Sequence, residues 1–309
     1  LESKVLPAQA GEFTLRAYLN KKIDLSQAEA VADIIASESE AAHRIAMQQM
    51  RGGFSKNMEK LRQQLIQFKA LIELELDFSE EEVSFANKDQ LKDLLSSLHN
   101  DIYILKESFI YGNVIKNGVP VAIAGKPNAG KSSLLNTLFN EEKAIVSNIP
   151  GTTRDVIEDT LTIEGIIFRF IDTAGLRETK DVIEAMGVKK AREKITQASL
   201  LIYLYERTTA FKDLISEIKS LQHTNQNLVL IENKIDQYSE GFDNNLNNKL
   251  LSALDNKENA FGMGISTLTS ESIAPLKVHL VNTLKKMGEN NTVVVNNSRH
   301  YHALINAFK

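Results

Sequence analysis

Gly125-Lys-Pro-Asn-Ala-Gly-Lys-Ser-Ser133 is the stretch on which the reading of this chain turns. Its two glycines, with a lysine and hydroxyl residues behind the second, follow a short apolar run, Val119 to Ala124, and open a segment patterned as a helix. In that setting backbone N–H groups close around phosphate oxygens, and the start of the helix adds partial positive charge. Lys131 would neutralise the outer phosphates, the Ser132 hydroxyl would ligate Mg2+, and Ala129, Gly130 and Ser133 would complete the cradle. Asn128 stands where such a loop is usually barest. Taken alone it reads as a loop residue capping its own turn.

Outward from the loop, apolar runs at Val119 to Ala124, Ile166 to Ile171, Leu200 to Tyr205 and Leu228 to Ile231 alternate with helical segments. That alternation predicts an open α/β sheet with mostly parallel strands. The first third of the chain has a different period. Ser26 and Glu29 have capping-box spacing and predict a helix from about residue 27. Met47, Met50, Phe54, Met58, Leu61, Leu65, Phe68, Ile72 and Leu76 recur every three or four residues. They predict one long helix, bent at most at Gly52-Gly53, although two glycines cost roughly 1–2 kcal/mol against alanine. Another helix, about Lys88 to Ile115, leads to the turn signal Lys116-Asn-Gly118, and helix resumes over Ser298 to Lys309. The expected architecture is a P-loop α/β domain with a mostly parallel sheet, residues 118–288, inserted into an all-α helical domain, residues 1–117 and 289–309.

Composition bounds the function. The chain has 309 residues and 43% apolar content, enough to bury at least one sizeable core and long enough for two domains. It has no cysteine, hence no disulfide, no thiolate nucleophile and no Cys-rich zinc site, in keeping with an expected cytoplasmic setting. A formal charge of −4 lacks the bulk basic footprint of a free-standing nucleic-acid binder. No apolar run approaches the length of a membrane span, so no membrane partner is expected. The acidic patch Asp77-Phe-Ser-Glu-Glu-Glu82 reads as a solvated turn, and the six histidines show no metal-ligand pairing.

Three further stations name the base. Asp172-Thr-Ala-Gly175 follows the strand Ile166 to Ile171, where Asp172 can reach Mg2+ and the Gly175 N–H can sense a γ-phosphate, with Thr173 and Ala174 beside it. Asn233-Lys-Ile-Asp236 follows the strand Leu228 to Ile231, and the Asp236 carboxylate can accept both N–H groups of the guanine edge, which adenine does not offer. Ser266-Thr-Leu268 stands where GTPases place a loop against the base, which brings Ser266, Thr267, Asn233 and Lys234 into the site. In this order the stations read as a GTPase. In small regulatory GTPases a glutamine after the Asp-x-x-Gly glycine orients the attacking water. Here Leu176 holds that place, so hydrolysis needs another device.

Ile145-Val-Ser-Asn-Ile-Pro-Gly-Thr-Thr-Arg-Asp155 resembles the first switch of the potassium-activated GTPases. Leu6 to Asp33 and the stretch Leu74 to Glu82 extend the likeness, and the chain resembles the MnmE (TrmE) family of tRNA-modification GTPases over nearly its whole length. Ala10 and Thr267 depart from that family's usual proline and alanine. The resemblance implies that Asn128, Ser147, Thr152 and the backbone of Ile149 surround K+, that Thr153 meets Mg2+, and that Asn148 and Gly151 line the nucleotide. It implies that Glu184 polarises the attacking water through a second water, alongside Lys131 as a charge-stabilising group. Arg154 and Arg177 could stabilise transition-state charge, or form surface ion pairs.

The same resemblance implies modification of the wobble uridine of tRNA with a flavin-dependent partner protein of the MnmG type, and a homodimer whose G domains pair transiently. The family carries a preceding domain that binds formyl-tetrahydrofolate and dimerises, and a Cys-x-Gly-Lys tail. Neither is among these residues, so the chain is expected to be a fragment. A ribosome-assembly GTPase and a nucleotide-switched interaction protein with slow hydrolysis are the rival readings.

Overall fold

The computed structural model describes residues 7–77, 88–143, 158–172, 194–223, 226–255, 257–288 and 294–308. The chain divides into two compact units, Leu1–Lys116 with Lys286–Lys309, and Asn117–Lys285.

The first unit is helical. Helices α1 (Glu12–Leu19), α2 (Leu25–Ala36), α3 (Glu40–Met50), α4 (Gly53–Asp77) and α5 (Lys88–Asn117) come before the other unit, and α10 (Ser298–Phe308) follows it. The start of α2 corrects the capping expectation. Asp24, not Ser26, is the N-cap: its carboxylate accepts from the Gln27 N–H, and the Gln27 side chain accepts from the Asp24 N–H. Ser26 is instead buried beneath Gln49, whose Nε2 donates to the Ser26 hydroxyl and carbonyl oxygens.

The single long helix is also corrected, because Gly52 takes φ 81° and α3 ends before it. Left-handed backbone cannot continue a right-handed helix, and glycine adopts it without a Cβ penalty. Three described residues of the stripe, Met50, Leu65 and Ile72, are exposed. The core of this unit unites Phe54 and Leu61 of α4 and Leu98 and Leu105 of α5 with Val295 and Leu304 from the returning chain. Phe54 stacks on His300 at 4.3 Å and Phe109 on Tyr301 at 4.1 Å. The Ser108 hydroxyl, fully buried, accepts from the Val295 N–H at 3.0 Å. Residues before and after the inserted unit thus share one core, which is how a domain tolerates an insertion.

The second unit is a six-stranded sheet in the order β2-β3-β1-β4-β5-β6. Its strands are β1 (Val119–Gly125), β2 (Glu158–Ile163), β3 (Ile166–Asp172), β4 (Leu200–Tyr205), β5 (Asn227–Glu232) and β6 (Ala260–Gly264). All neighbours run parallel except the β2–β3 hairpin. Helices α6 (Lys131–Lys143), α7 (Phe211–Leu221), α8 (Asn244–Ala253) and α9 (Ala274–Gly288) complete the unit. β4 is buried along its whole length, as a central parallel strand covered on both faces should be. The architecture is an open, mostly parallel α/β sheet unit joined to an all-α helical unit.

β2 and β6 were not among the expected strands. β2 pairs with β3 across a two-residue turn, Glu164-Gly165, with φ 47° and 73°, the primed turn that suits strand twist. The acidic patch expected to be a solvated turn, Asp77 to Glu82, lies outside the described residues beyond Asp77.

Candidate nucleotide site

Strand register gathers the loops at one edge of the sheet. Ile123 pairs with Asp172, Gly125 with Leu204, Tyr205 with Glu232, and Glu232 with Gly264. The chain therefore leaves β1, β3, β4, β5 and β6 at a common rim, beside the point where β1 lies between β3 and β4. Open α/β sheets form ligand crevices at such a switch in connection order.

Between β1 and α6 the chain reverses within a few residues. Gly125, Asn128 and Gly130 all take positive φ, at 140°, 64° and 97°. Asparagine is among the few side chains that tolerate left-handed backbone, so Asn128 has a conformational reason to be in the loop. Gly130 has a packing reason, since a Cβ there would overlap the side-chain amide of Asn233. Lys131 Nζ donates to the carbonyl oxygens of Gly125 and Lys126, both at 2.8 Å, which holds the ammonium over the loop.

The loop after β5 reaches the same place. Asn233 is fully buried, and its Nδ2 donates to the Ala129 carbonyl at 2.8 Å. Lys234 takes φ 62° and pairs with Glu206 at 2.5 Å, while Asp236 is exposed in the short turn Ile235–Gln237. Behind this loop, burial, with Glu232 and Asp243 nearby, pushes the Tyr205 hydroxyl well above the ordinary tyrosine range and keeps it neutral. After β6, Thr267 is fixed to α6 by the Thr137 hydroxyl, which donates to the Thr267 carbonyl at 3.2 Å.

These loops enclose a cleft of about 680 Å³ lined by Asn128, Gly130, Lys131, Ser132, Ser133, Asn233, Lys234, Asp236 and Thr267, together with Pro127, Gln237 and Leu268. Ala129 contributes its carbonyl to the scaffold rather than its side chain. Ser266 is buried, and its hydroxyl accepts from the Leu268 N–H at 3.4 Å, so it shapes the loop from beneath. Asp172 ends β3 beside β1. Ser147, Asn148, Ile149, Gly151, Thr152, Thr153, Arg154, Thr173, Ala174, Gly175 and Glu184 lie outside the described residues, as do Leu176 and Arg177. Sequence reading passed over Glu206, Arg207 and Glu232. The available signal was a glutamate closing the apolar run Asn-Leu-Val-Leu-Ile-Glu232, since a charge inside a buried strand demands a partner.

The family model for the MnmE helical domain matches residues 25–309. The chain belongs to the MnmE family. It is 51% identical to the tRNA modification GTPase MnmE of Christiangramia forsetii, an alignment covering 98% of this chain and 66% of that protein. Its counterpart in Cytophaga hutchinsonii is 52% identical, with 96% of this chain and 63% of that protein covered. For Bacteroides fragilis the figures are 48%, 97% and 65%. The chain thus spans just under two thirds of the length of these MnmE relatives.

Among the described residues, no helix is long and apolar enough to cross a membrane. The match begins within the helical unit and runs through the sheet to the returning helix, so MnmE likeness covers both units.

Proposed function

We propose that this chain is the GTP-binding and GTP-hydrolysing part of an MnmE-type tRNA-modification GTPase. The observation that carries the reading is the convergence of the phosphate loop, Asp236 and Thr267 on one cleft at the rim of a parallel sheet. Lys131 and the loop amides suit the phosphates, while the exposed Asp236 carboxylate suits the guanine edge. The donor set also fits Mg2+: the Ser132 hydroxyl lines the cleft, and Asp172 arrives at the same rim. Ser132, Asp172 and Thr153 would hold that ion, which neutralises phosphate oxygens when bound.

Asn128 lines the cleft beside Lys131, a position from which its amide oxygen can help hold K+ together with Ser147, Ile149 and Thr152. Leu176 stands in place of a water-orienting glutamine; the likeness to MnmE assigns the attacking water to Glu184, and Arg154 could add charge. The GTPase cycle would drive wobble-uridine modification of tRNA in the cytoplasm, with G-domain pairing in a homodimer and a flavin-dependent partner of the MnmG type. Formyl-tetrahydrofolate would belong to the part of the relatives that this chain does not span.

GTP turnover in KCl and in NaCl, with ADP and GDP as competitors, tests the reading. GDP competition and potassium stimulation are the expected results. Competition by ADP equal to that by GDP would remove the guanine assignment, and with it this function.

A further inference from the structure

The loop that carries Asp236 is closed around a guanidinium. Arg207 lies just beyond the end of β4, and its Nε donates to Glu232 Oε1 at 2.7 Å. A terminal nitrogen of the same group donates to the Gly241 carbonyl, and the guanidinium lies over the Tyr238 ring, 4.1 Å from its centroid. The second oxygen of Glu232 accepts from the Asp243 N–H at 3.0 Å. One side-chain pair therefore holds the beginning, the middle and the end of the segment 232–243, and Asp236 lies inside that span. Beside it, Glu206 pairs with Lys234. The Glu232 side chain is fully buried and that of Arg207 is 18% exposed, so the pair sits behind the cleft and not in it.

We propose that Arg207, acting through Glu232, Tyr238 and Gly241, is a specificity-positioning residue that holds the Asp236 carboxylate in the plane of the guanine edge. The proposal rests on the guanine-nucleotide reading of the cleft. A carboxylate must meet two N–H groups at once, and an error of a few tenths of an ångström in the loop spoils the second contact before the first. Arginine alone supplies a planar fork, a permanent charge and a face that stacks on tyrosine; lysine supplies only the charge.

The experiment compares GDP with IDP, which lacks the 2-amino group and so can make only one of the two contacts. Two variants of the full chain are used. Arg207→Lys keeps the charge on Glu232. Arg207→Met with Glu232→Met removes both partners and leaves no buried unpaired carboxylate, which preserves folding. Far-UV circular dichroism and melting verify that each is folded.

The parent is expected to bind GDP roughly ten- to a hundredfold more tightly than IDP, the value of one hydrogen bond to a charged group. In both variants that ratio is expected to fall to within about threefold, through lost GDP affinity, with IDP binding changed little. General destabilisation would weaken both nucleotides together and leave the ratio intact. A folded variant with the parental ratio would overturn the positioning role and leave the GTPase reading standing. A parent that binds GDP, IDP and ADP alike would overturn both.

Discussion

Asn233 donates from Nδ2 to the Ala129 carbonyl at 2.8 Å and from its backbone N–H to the Tyr205 carbonyl at 2.9 Å. One buried side chain thereby joins the loop suited to phosphate to the loop suited to the base, and neither can shift without the other. Asn233→Ala should leave the Ala129 oxygen buried without its donor, at a cost of about 1–3 kcal/mol. Asn233→Asp should be worse, because a carboxylate would face a carbonyl oxygen. Melting temperature and GDP affinity are both expected to fall in the order Asn, Ala, Asp; an aspartate variant as stable as the parent would remove the bridge from the account.

Asp236 is exposed, so its replacement should change selectivity and not folding. Asp236→Asn presents a donor where the carboxylate accepted, which favours the xanthine edge over guanine. Titration with GDP and XDP is expected to show the preference inverted at an unchanged melting temperature. Equal GDP affinity in variant and parent would exclude contact between Asp236 and the base.

The left-handed backbone of Asn128 allows its shape to be tested apart from its chemistry. Asn128→Gly keeps the conformation without cost and lacks the amide; Asn128→Ala lacks the amide and adds about 1 kcal/mol of backbone penalty. Both should retain GTP affinity within about tenfold and lose most of the stimulation by KCl over NaCl. A glycine variant that keeps the full potassium response would leave Asn128 with a conformational role alone.

His300 is expected to make the helical unit acid-sensitive. Burial holds its pKa below the ordinary histidine value, the Glu29 carboxylate opposes that, and Arg299 adds to it, with Asp24 a smaller counterweight. The unfolded chain takes up the proton first as pH falls, so the contribution is intact above about 6.5 and is lost as pH drops through the lower folded value. Amide protection factors across Ser298–Phe308, corrected for the slower intrinsic exchange at low pH, should fall between pH 7.5 and 5, and His300→Phe, which can keep the stack on Phe54, should flatten that dependence. Equal pH dependence in both proteins would assign the acid sensitivity to other groups.

How far the sequence disclosed this arrangement differs by element. β4 and β5 were legible because a fully buried parallel strand is an unbroken apolar run, and α5 because a long periodic segment has few competing readings. β2 was missed because Glu158-Asp-Thr-Leu-Thr-Ile163 is mostly polar, the mark of a strand on the sheet's edge. β6 was missed because Ala-Phe-Gly-Met-Gly264 looks like a loop, yet both glycines are demanded by neighbours, Asn247 and Phe242, that lie far along the chain. The break at Gly52 was obscured by an apolar phase that continues on both sides of it. In the site, the residues that would touch nucleotide announced themselves by spacing. The Arg207–Glu232 pair did not, because a positioning contact between two loops leaves no local pattern.

Lys131, whose Nζ already donates to the Gly125 and Lys126 carbonyls, bears on where the cost of grip is met. A free lysine chain gives up as much as ~2 kcal/mol of rotational freedom when its end is fixed. Here that loss is absorbed as the domain folds, so a bound nucleotide would meet an ammonium whose lever arm is already set. On the proposed reading, phosphate capture would then resemble the closing of a ready-cocked latch, with little rotational freedom left to lose.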